Sequence, residues 1–252
     1  MRIEDGRVFY AKWLISAVGC LSAANVPEIP GLASFKGESY HTGKWPEEGV
    51  DFSGIRVGQI GTGSTGIQVA SEIAKTCKHL TVFQRTANYS IPARNTVWDN
   101  TYADWVRDHY EELKALVRST PNGHPFRISG NLAMEVSDEE RNNMFEAAWA
   151  RGGLRFRGVF SDLLTSEKSN EAAANFIKSK IKQKVTDPDK AEILSDIDHP
   201  YAAKRPPIDT NYFETFNREN VSLVNLKADP IKEITTGGIS LKSGDVRDLD
   251  VI

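Results

Sequence analysis

Arg56-Val57-Gly58-Gln59-Ile60-Gly61-Thr62-Gly63-Ser64-Thr65-Gly66-Ile67 decides the fold. A short strand, Arg56 to Ile60, runs directly into Gly61-Thr62-Gly63-Ser64-Thr65-Gly66, a GxGxxG loop. Ile67, Ala70, Ile73 and Ala74 then recur at helical spacing, which predicts a helix from Ile67 to Cys77. Leu80 to Gln84 reads as a second strand. Strand, helix and strand within about 30 residues imply a right-handed crossover in a parallel sheet. In such a unit Gly61 permits the tight turn and Gly63 lets the backbone approach a pyrophosphate. Gly66 lets the helix pack closely on the strand. The helix N-terminus beyond Thr62, Ser64 and Thr65 offers free N–H groups and a positive dipole end to phosphate. The bland alternative is a glycine-rich turn without a ligand.

The end of the second strand bears on which dinucleotide is bound. An NAD site usually carries Asp or Glu about 20 residues beyond the loop, bonded to the ribose 2′-hydroxyl. Here the chain reads Phe83-Gln84-Arg85-Thr86, with no acid. Arg85 can pair bidentately with a 2′-phosphate, and Thr86 adds a hydroxyl. This favours NADP over NAD, unless Arg85 is simply a surface charge.

Upstream, Arg7 to Ala11 follows the turn signal Asp5-Gly6 and suggests a hairpin. Trp13 to Val18 is a short apolar run ending at Gly19, as expected of a buried strand. Pro27, Pro30 and Gly31 mark a loop. Downstream, Tyr102, Trp105, Val106, His109, Tyr110, Leu113, Leu116 and Val117 form one helical stripe. Ser137-Asp138-Glu139-Glu140 is a capping box, opening a helix that runs through Trp149 to Gly152-Gly153. Asn170 to Val185 is another helix, and Asp187-Pro188 signals a third start. Strand patterns return at Val221–Val224 and Ile231–Ile234, with a turn at Thr236-Gly237-Gly238. A buried strand is expected from Asp248 to Ile252.

Composition narrows the function classes. A net charge of −3 argues against general nucleic-acid binding. No apolar run reaches the roughly 18 residues of a membrane span, and the N-terminus lacks the apolar core of a signal peptide. Cys20 and Cys77 give neither a disulfide framework nor metal-ligand spacing, which suits a cytoplasmic protein. The five histidines show no metal spacing, and no GxSxG elbow occurs. Glu111-Glu112 and Glu139-Glu140 read as solvated helix charges. Lys204-Arg205-Pro206-Pro207 is either a charged loop or a cationic pair held rigidly by two prolines toward phosphate or oxyanion charge.

A second stretch carries more specific information. Phe35-Lys36-Gly37-Glu38-Ser39-Tyr40-His41-Thr42-Gly43-Lys44-Trp45-Pro46 reads FxGxxxHxxxWP, fifteen residues ahead of Gly61. By itself His41 is a partly buried histidine and Trp45 a core residue. Paired with the glycine loop, the stretch resembles the fingerprint of Baeyer–Villiger monooxygenases, nearest the phenylacetone and cyclohexanone monooxygenase group. The likeness extends through Leu14-Ile15-Ser16-Ala17-Val18-Gly19, Asp51-Phe52-Ser53-Gly54, Val82-Phe83-Gln84-Arg85-Thr86, Ile91-Pro92-Ala93-Arg94-Asn95 and Lys204-Arg205 to Val221.

The resemblance implies that NADPH reduces a bound FAD and that molecular oxygen then gives a peroxyflavin. This attacks a ketone and yields an ester or lactone. It implies a catalytic Arg205 and places Lys204, Arg85 and Thr86 at the NADP 2′-phosphate. Gly61, Gly63 and Gly66 would hold the pyrophosphate, and His41 would couple domain movement to catalysis.

Two expected features of that family, an FAD-binding GxGxxG in the first half and a catalytic aspartate there, are not found in this sequence. Cys20 stands where relatives often have a polar residue. The expected fold class is therefore α/β: a Rossmann-like dinucleotide-binding domain with a parallel sheet and a helical insertion, plus a remnant of an FAD-binding domain. Residues 1–34 would be that remnant, 35–96 and 200–252 the NADP domain, and 97–199 the inserted helical subdomain. A central fragment of this kind is expected to be inert alone. The rival readings are a flavin-containing N- or S-monooxygenase, a non-catalytic NADP(H)-binding module and, more remotely, an unrelated reductase.

Overall fold

The computed structural model describes residues 1–19 and 21–252. Cys20, and what was expected of it, lies outside the described residues.

The β-α-β unit forms where the hydrophobic pattern places it. Strands β1 (Arg56–Ile60) and β2 (His79–Gln84) pair in parallel, Val57 beside Leu80 and Ile60 beside Phe83. Helix α1 (Ser64–Ile73) joins them and buries Ile67, Ala70, Ser71 and Ile73. It starts three residues earlier than the apolar spacing indicates, because Ser64, Thr65 and Gly66 already turn as helix. It also ends sooner, in turns that reach Cys77.

Beyond the short strand β3 (Ile91–Pro92) the chain is helical. The expected single stripe from Tyr102 to Val117 is split into α2 (Asn100–Asp108) and α3 (Tyr110–Ser119). The break sits at His109, with φ −107° and ψ 17°, whose ring Nδ1 lies 2.9 Å from the Trp105 carbonyl. The His109 amide donates to the same carbonyl at 3.1 Å, so the break lies in the non-helical backbone angles of His109 and not in a lost bond there. Neither helix has a fully buried residue.

Two of the next three helices, α4 and α6, have the caps the sequence signals. In α4 (Asp138–Arg151) the Ser137 hydroxyl accepts the Glu140 amide. α5 (Glu167–Lys184) starts three residues before the expected Asn170, capped by Ser166. In α6 (Pro188–Ser195) the Asp187 carboxylate accepts the amides of Asp189 and Lys190. Phe145 of α4 and Phe176 of α5 pack with Phe156 and Phe160, ring centroids 5.2–5.7 Å apart. This cluster is continuous with Ile67, Leu80 and Phe213, so one core runs from the sheet into the helices.

The chain then returns to the sheet. β4 (Ile208–Asp209) pairs in parallel with β3, and α7 (Tyr212–Thr215) packs against α1 and α5. β5 (Val221–Asn225) adds to β2, giving the parallel order β1-β2-β5. β6 (Ile231–Thr235), β7 (Gly238–Leu241) and β8 (Val246–Asp248) form an antiparallel meander. Its Ile234, Ile239 and Leu241 pack with Phe83, Val224 and Leu249 as a second cluster.

Of the stretch expected as a buried strand, Leu249 and Val251 are buried while Asp248 and Asp250 are exposed, and the regular strand there is β8. Val251, 3% exposed, bridges in parallel to both Val57 and Glu38. Arg56 clamps this end, donating from Nε to Asp250 Oδ2 at 3.0 Å and from Nη2 to Oδ1 at 2.6 Å.

The N-terminal expectations need correction. The hairpin reduces to one antiparallel bridge, Arg2 to Val8, around the Asp5-Gly6 turn. Trp13 to Val18 is neither a strand nor buried: Trp13 is 79% and Ile15 89% exposed. An apolar run becomes a strand only where a neighbouring strand accepts its hydrogen bonds. Among the described residues none does. No described helix is long and apolar enough to cross a membrane.

Candidate dinucleotide site at the ends of β1 and β2

The glycine loop has the geometry an anion requires. Gly61 takes φ +100°, a left-handed conformation in which a side chain would be strained. A Cβ on Gly66 would lie 2.6 Å from the Gly61 carbonyl oxygen, so only glycine lets α1 start this close to the loop. Gly63 faces open space. The N-cap of α1 has no side-chain hydrogen bond, and the first amide engaged by the backbone is that of Ile67, by Gly63. Among the described residues the amides of Ser64, Thr65 and Gly66 have no acceptor. Both Ser64 and Thr65 are exposed. A bare helix N-terminus behind an open glycine loop fits a pyrophosphate, which supplies the missing acceptors and opposes the dipole.

Three side chains stiffen the cradle. Gln59 donates from Nε2 to the carbonyls of Gly61 and Gly66, at 3.1 and 3.0 Å. Thr62, 7% exposed, donates its hydroxyl to the Thr86 carbonyl at 2.7 Å, and Asn88 donates to the Thr62 carbonyl. Thr62 and Thr86 thus tie the loop to the end of β2, and the Thr62 hydroxyl proton is already engaged there.

Arg85 leaves β2 beside the loop, because Ile60 and Phe83 are paired neighbours and the Gly61 amide donates to Phe83. It is exposed and forms no ion pair among the described residues. A guanidinium without a carboxylate partner at the mouth of an anion cradle favours a further phosphate.

Lys204 and Arg205 lie on the irregular segment that leads into β4. Ser90 Oγ and the Ile91 amide donate to the Pro207 carbonyl, and Tyr89 Oη donates to the carbonyl of His199. Residues 199–209 therefore run along the exit from β2. The pair is exposed and unpaired among the described residues. It follows a tight turn closed by the Ala203 amide on the Pro200 carbonyl at 3.2 Å, with Ala202 at φ +63°. An alanine there costs on the order of 1 kcal/mol, a strain that cores tolerate chiefly where it positions something. Beneath the segment Asp209 is buried, accepting from Ser90 Oγ at 2.5 Å and from the Tyr212 amide. Burial pushes its carboxyl above the usual carboxylate range.

His41 stands elsewhere. Its Nδ1 accepts the Gly43 amide at 3.0 Å, capping the short helix Thr42–Lys44. It lines a cavity of about 500 Å³ with Lys44, Trp45, Val57 and Gln59, and Arg205 is not among the lining residues. Trp45 lies between Tyr40 and Phe52 and is 39% exposed, so it forms a rim and not core. The glycine loop, Arg85 and Thr86 thus come together, Lys204 and Arg205 follow on the adjoining segment, and His41 lines a different wall. Gln59, Asn88 and Tyr89 were not legible as site residues, because their roles are to hydrogen-bond backbone carbonyls and no spacing announces that.

A strand, a glycine loop and a helix with free amides, beside an arginine that has no ion pair among the described residues, have the form of a dinucleotide site. Among known families, the one described as "Flavin-binding monooxygenase-like" matches residues 4–115. The chain is 47% identical over 251 residues to a Baeyer–Villiger monooxygenase of Pseudooceanicola batsensis, covering 99% of this chain and 46% of that protein. It is 42% identical over 251 residues to a phenazine N-monooxygenase of Lysobacter antibioticus, with the same coverage of each. Among solved structures, an oxidized steroid monooxygenase bound to NADP superimposes with a TM-score of 0.94 at 44% identity, over 100% of this chain and 48% of that one. The chain is a homologue of Baeyer–Villiger monooxygenases over nearly its whole length, as the FxGxxxHxxxWP stretch implies. It spans about half the length of the curated relatives it matches.

Proposed function

We propose that this chain is the NADP(H)-binding part of an FAD- and NADPH-dependent Baeyer–Villiger monooxygenase, built as a Rossmann-like unit with a helical insertion. Residues 1–34 belong, on this reading, to the FAD side, and 97–199 are the insertion between 35–96 and 200–252. The observation that carries it is the conjunction, among the described residues, of unengaged amides at Ser64, Thr65 and Gly66 with an Arg85 free of ion pairs just beyond β2. Gly61, Gly63 and Gly66 leave room for the pyrophosphate. Arg85 and Lys204 flank the 2′-phosphate, and the Thr86 hydroxyl adds a donor. Arg205, held by Pro206 and Pro207, presents a permanent charge to oxyanion character developing beside the flavin. His41, seated in the cavity wall on the β1 side, transmits movement of that wall. When bound, the flavin would supply the oxygen chemistry, and NADPH its electrons. Molecular oxygen and a ketone are the co-substrates on this reading.

The identity to a phenazine N-monooxygenase favours a second reading, nitrogen oxygenation on the same scaffold. Product analysis separates the two: an ester or lactone from a ketone supports the first, an N-oxide alone the second. The binding claim is tested by Arg85→Ala. Loss of a charge-assisted bond, roughly 1.5–3 kcal/mol, should weaken NADPH about ten- to a hundred-fold and leave NADH nearly unchanged. Equal loss for both removes Arg85 from the phosphate site.

A further inference from the structure

Lys204 and Arg205 are presented from an irregular segment, and surface loops of that kind are ordinarily mobile. This one is pinned at an unusual point. Tyr201 is the residue before the left-handed Ala202, inside the turn that closes from Ala203 to Pro200. Asn170, in the first turn of α5, grips both backbone groups of Tyr201. Its Oδ1 accepts the Tyr201 amide at 2.9 Å, and its Nδ2 donates to the Tyr201 carbonyl at 2.9 Å. The same Nδ2 donates to the Leu163 carbonyl at 2.8 Å, which fixes the amide's orientation. The Tyr201 ring is 3% exposed and wedged edge-on against Tyr89 and Phe156. Ahead of the turn, Tyr89 Oη holds the His199 carbonyl; behind it, Ser90 Oγ and the Ile91 amide hold that of Pro207.

We infer that Asn170 is a positioning residue: by holding both backbone groups of Tyr201 it fixes the strained turn from which Lys204 reaches the 2′-phosphate of the dinucleotide. A side-chain amide is the group that can accept from an N–H and donate to a C=O of one residue at once. An observed left-handed alanine supplies the motive for the clamp, since the turn needs outside bonds to persist. The inference rests on the reading of Lys204 as phosphate-binding, and the experiment keeps the two apart.

The variants are Asn170→Asp, which keeps the acceptor but sets a carboxylate against two carbonyls, and Asn170→Ala, which removes the clamp without adding charge. Two readouts are taken. The first is trypsin cleavage of the native protein after Lys204, relative to cleavage after the exposed Lys242 in the β7–β8 turn. Arg205 precedes proline and resists the protease, so the Lys204 bond reports this segment alone. The second is the ratio of NADPH to NADH affinity.

Cleavage after Lys204 should rise at least about tenfold relative to Lys242, and the preference for NADPH should fall by about tenfold, one charge-assisted contact. Unchanged relative cleavage in both variants, or cleavage that rises equally at both sites, overturns the clamp. Faster relative cleavage with the NADPH preference intact overturns the claim that the clamp serves the phosphate. A wild-type chain with no preference for NADPH overturns the proposed function, while the cleavage ratio still decides whether Asn170 holds the turn.

Discussion

Two neighbouring glycines give opposite expectations, and the pair separates fold from ligand. At Gly66 an added Cβ would sit 2.6 Å from the Gly61 carbonyl oxygen and 3.0 Å from Gln59 Nε2, about 0.8 Å short of ordinary contact with backbone that cannot rotate away. Gly66→Ala must therefore push α1 off the loop and disturb the two Gln59 bonds. Overpacking of that kind costs about 1–3 kcal/mol, a fall in Tm of roughly 2–12 °C at this chain length. At Gly63 the added Cβ meets nothing within 4 Å, and φ is −57°. Gly63→Ala should leave stability within about 0.5 kcal/mol of wild type. Its methyl would nevertheless cover the open face of the loop, where phosphate oxygens must approach the amides of Ser64 and Thr65. NADPH affinity should fall about ten- to a hundred-fold for one or two lost charge-assisted bonds. Thermal melts and NADPH titration of both variants provide the assay. Wild-type affinity in a folded Gly63→Ala would remove the phosphate from this loop, and an unchanged Tm in Gly66→Ala would refute the packing argument.

The Arg56–Asp250 clamp carries a pH signature. Hydrogen bonds from the Arg56 side chain, then its backbone amide, hold the Asp250 carboxyl at about 2, against 3.8 when free. A depressed carboxyl stabilises above the free value, and the contribution is lost as pH falls from about 4 toward 2. Both side chains are about 40% exposed, so solvent screening limits the contribution to about 1 kcal/mol. Asp250→Asn should be less stable than wild type by up to that amount at pH 7, and denaturant titrations should show the gap closing only below pH 4; a gap constant down to pH 3 refutes the linkage. Ala202→Gly removes the strain of the left-handed turn and should raise stability by up to about 1 kcal/mol, read by the same titration. A loss of stability would mean that the methyl of Ala202 is worth more in packing than it costs in strain.

The parallel unit was legible because its signals are local. Ile67, Ala70 and Ile73 recur on one helical face, and the strands on either side are short apolar runs bounded by glycine or turn residues. Caps at Ser137 and Asp187 were legible for the same reason: a side chain two or three residues away supplies the acceptor. Trp13 to Val18 was misread because an apolar run specifies that a strand can form, while a partner strand decides whether it does. The break at His109 is not legible because periodicity registers the face on which a residue lies and not the backbone angles of a single residue.

The sequence by itself determined the glycine loop, the missing acid after β2 and the cationic pair ahead of two prolines. These are chemical types at fixed spacing, and spacing survives without coordinates. Only the tertiary structure decided that Arg85 has no carboxylate partner among the described residues, that Thr62 is committed to Thr86, and that the cavity lined by His41 does not include Arg205. It alone brought Asn170 to Tyr201 across 31 positions of chain. Such contacts depend on how β1, β2 and α5 pack around one continuous core, and no local pattern encodes the distance between residues so far apart.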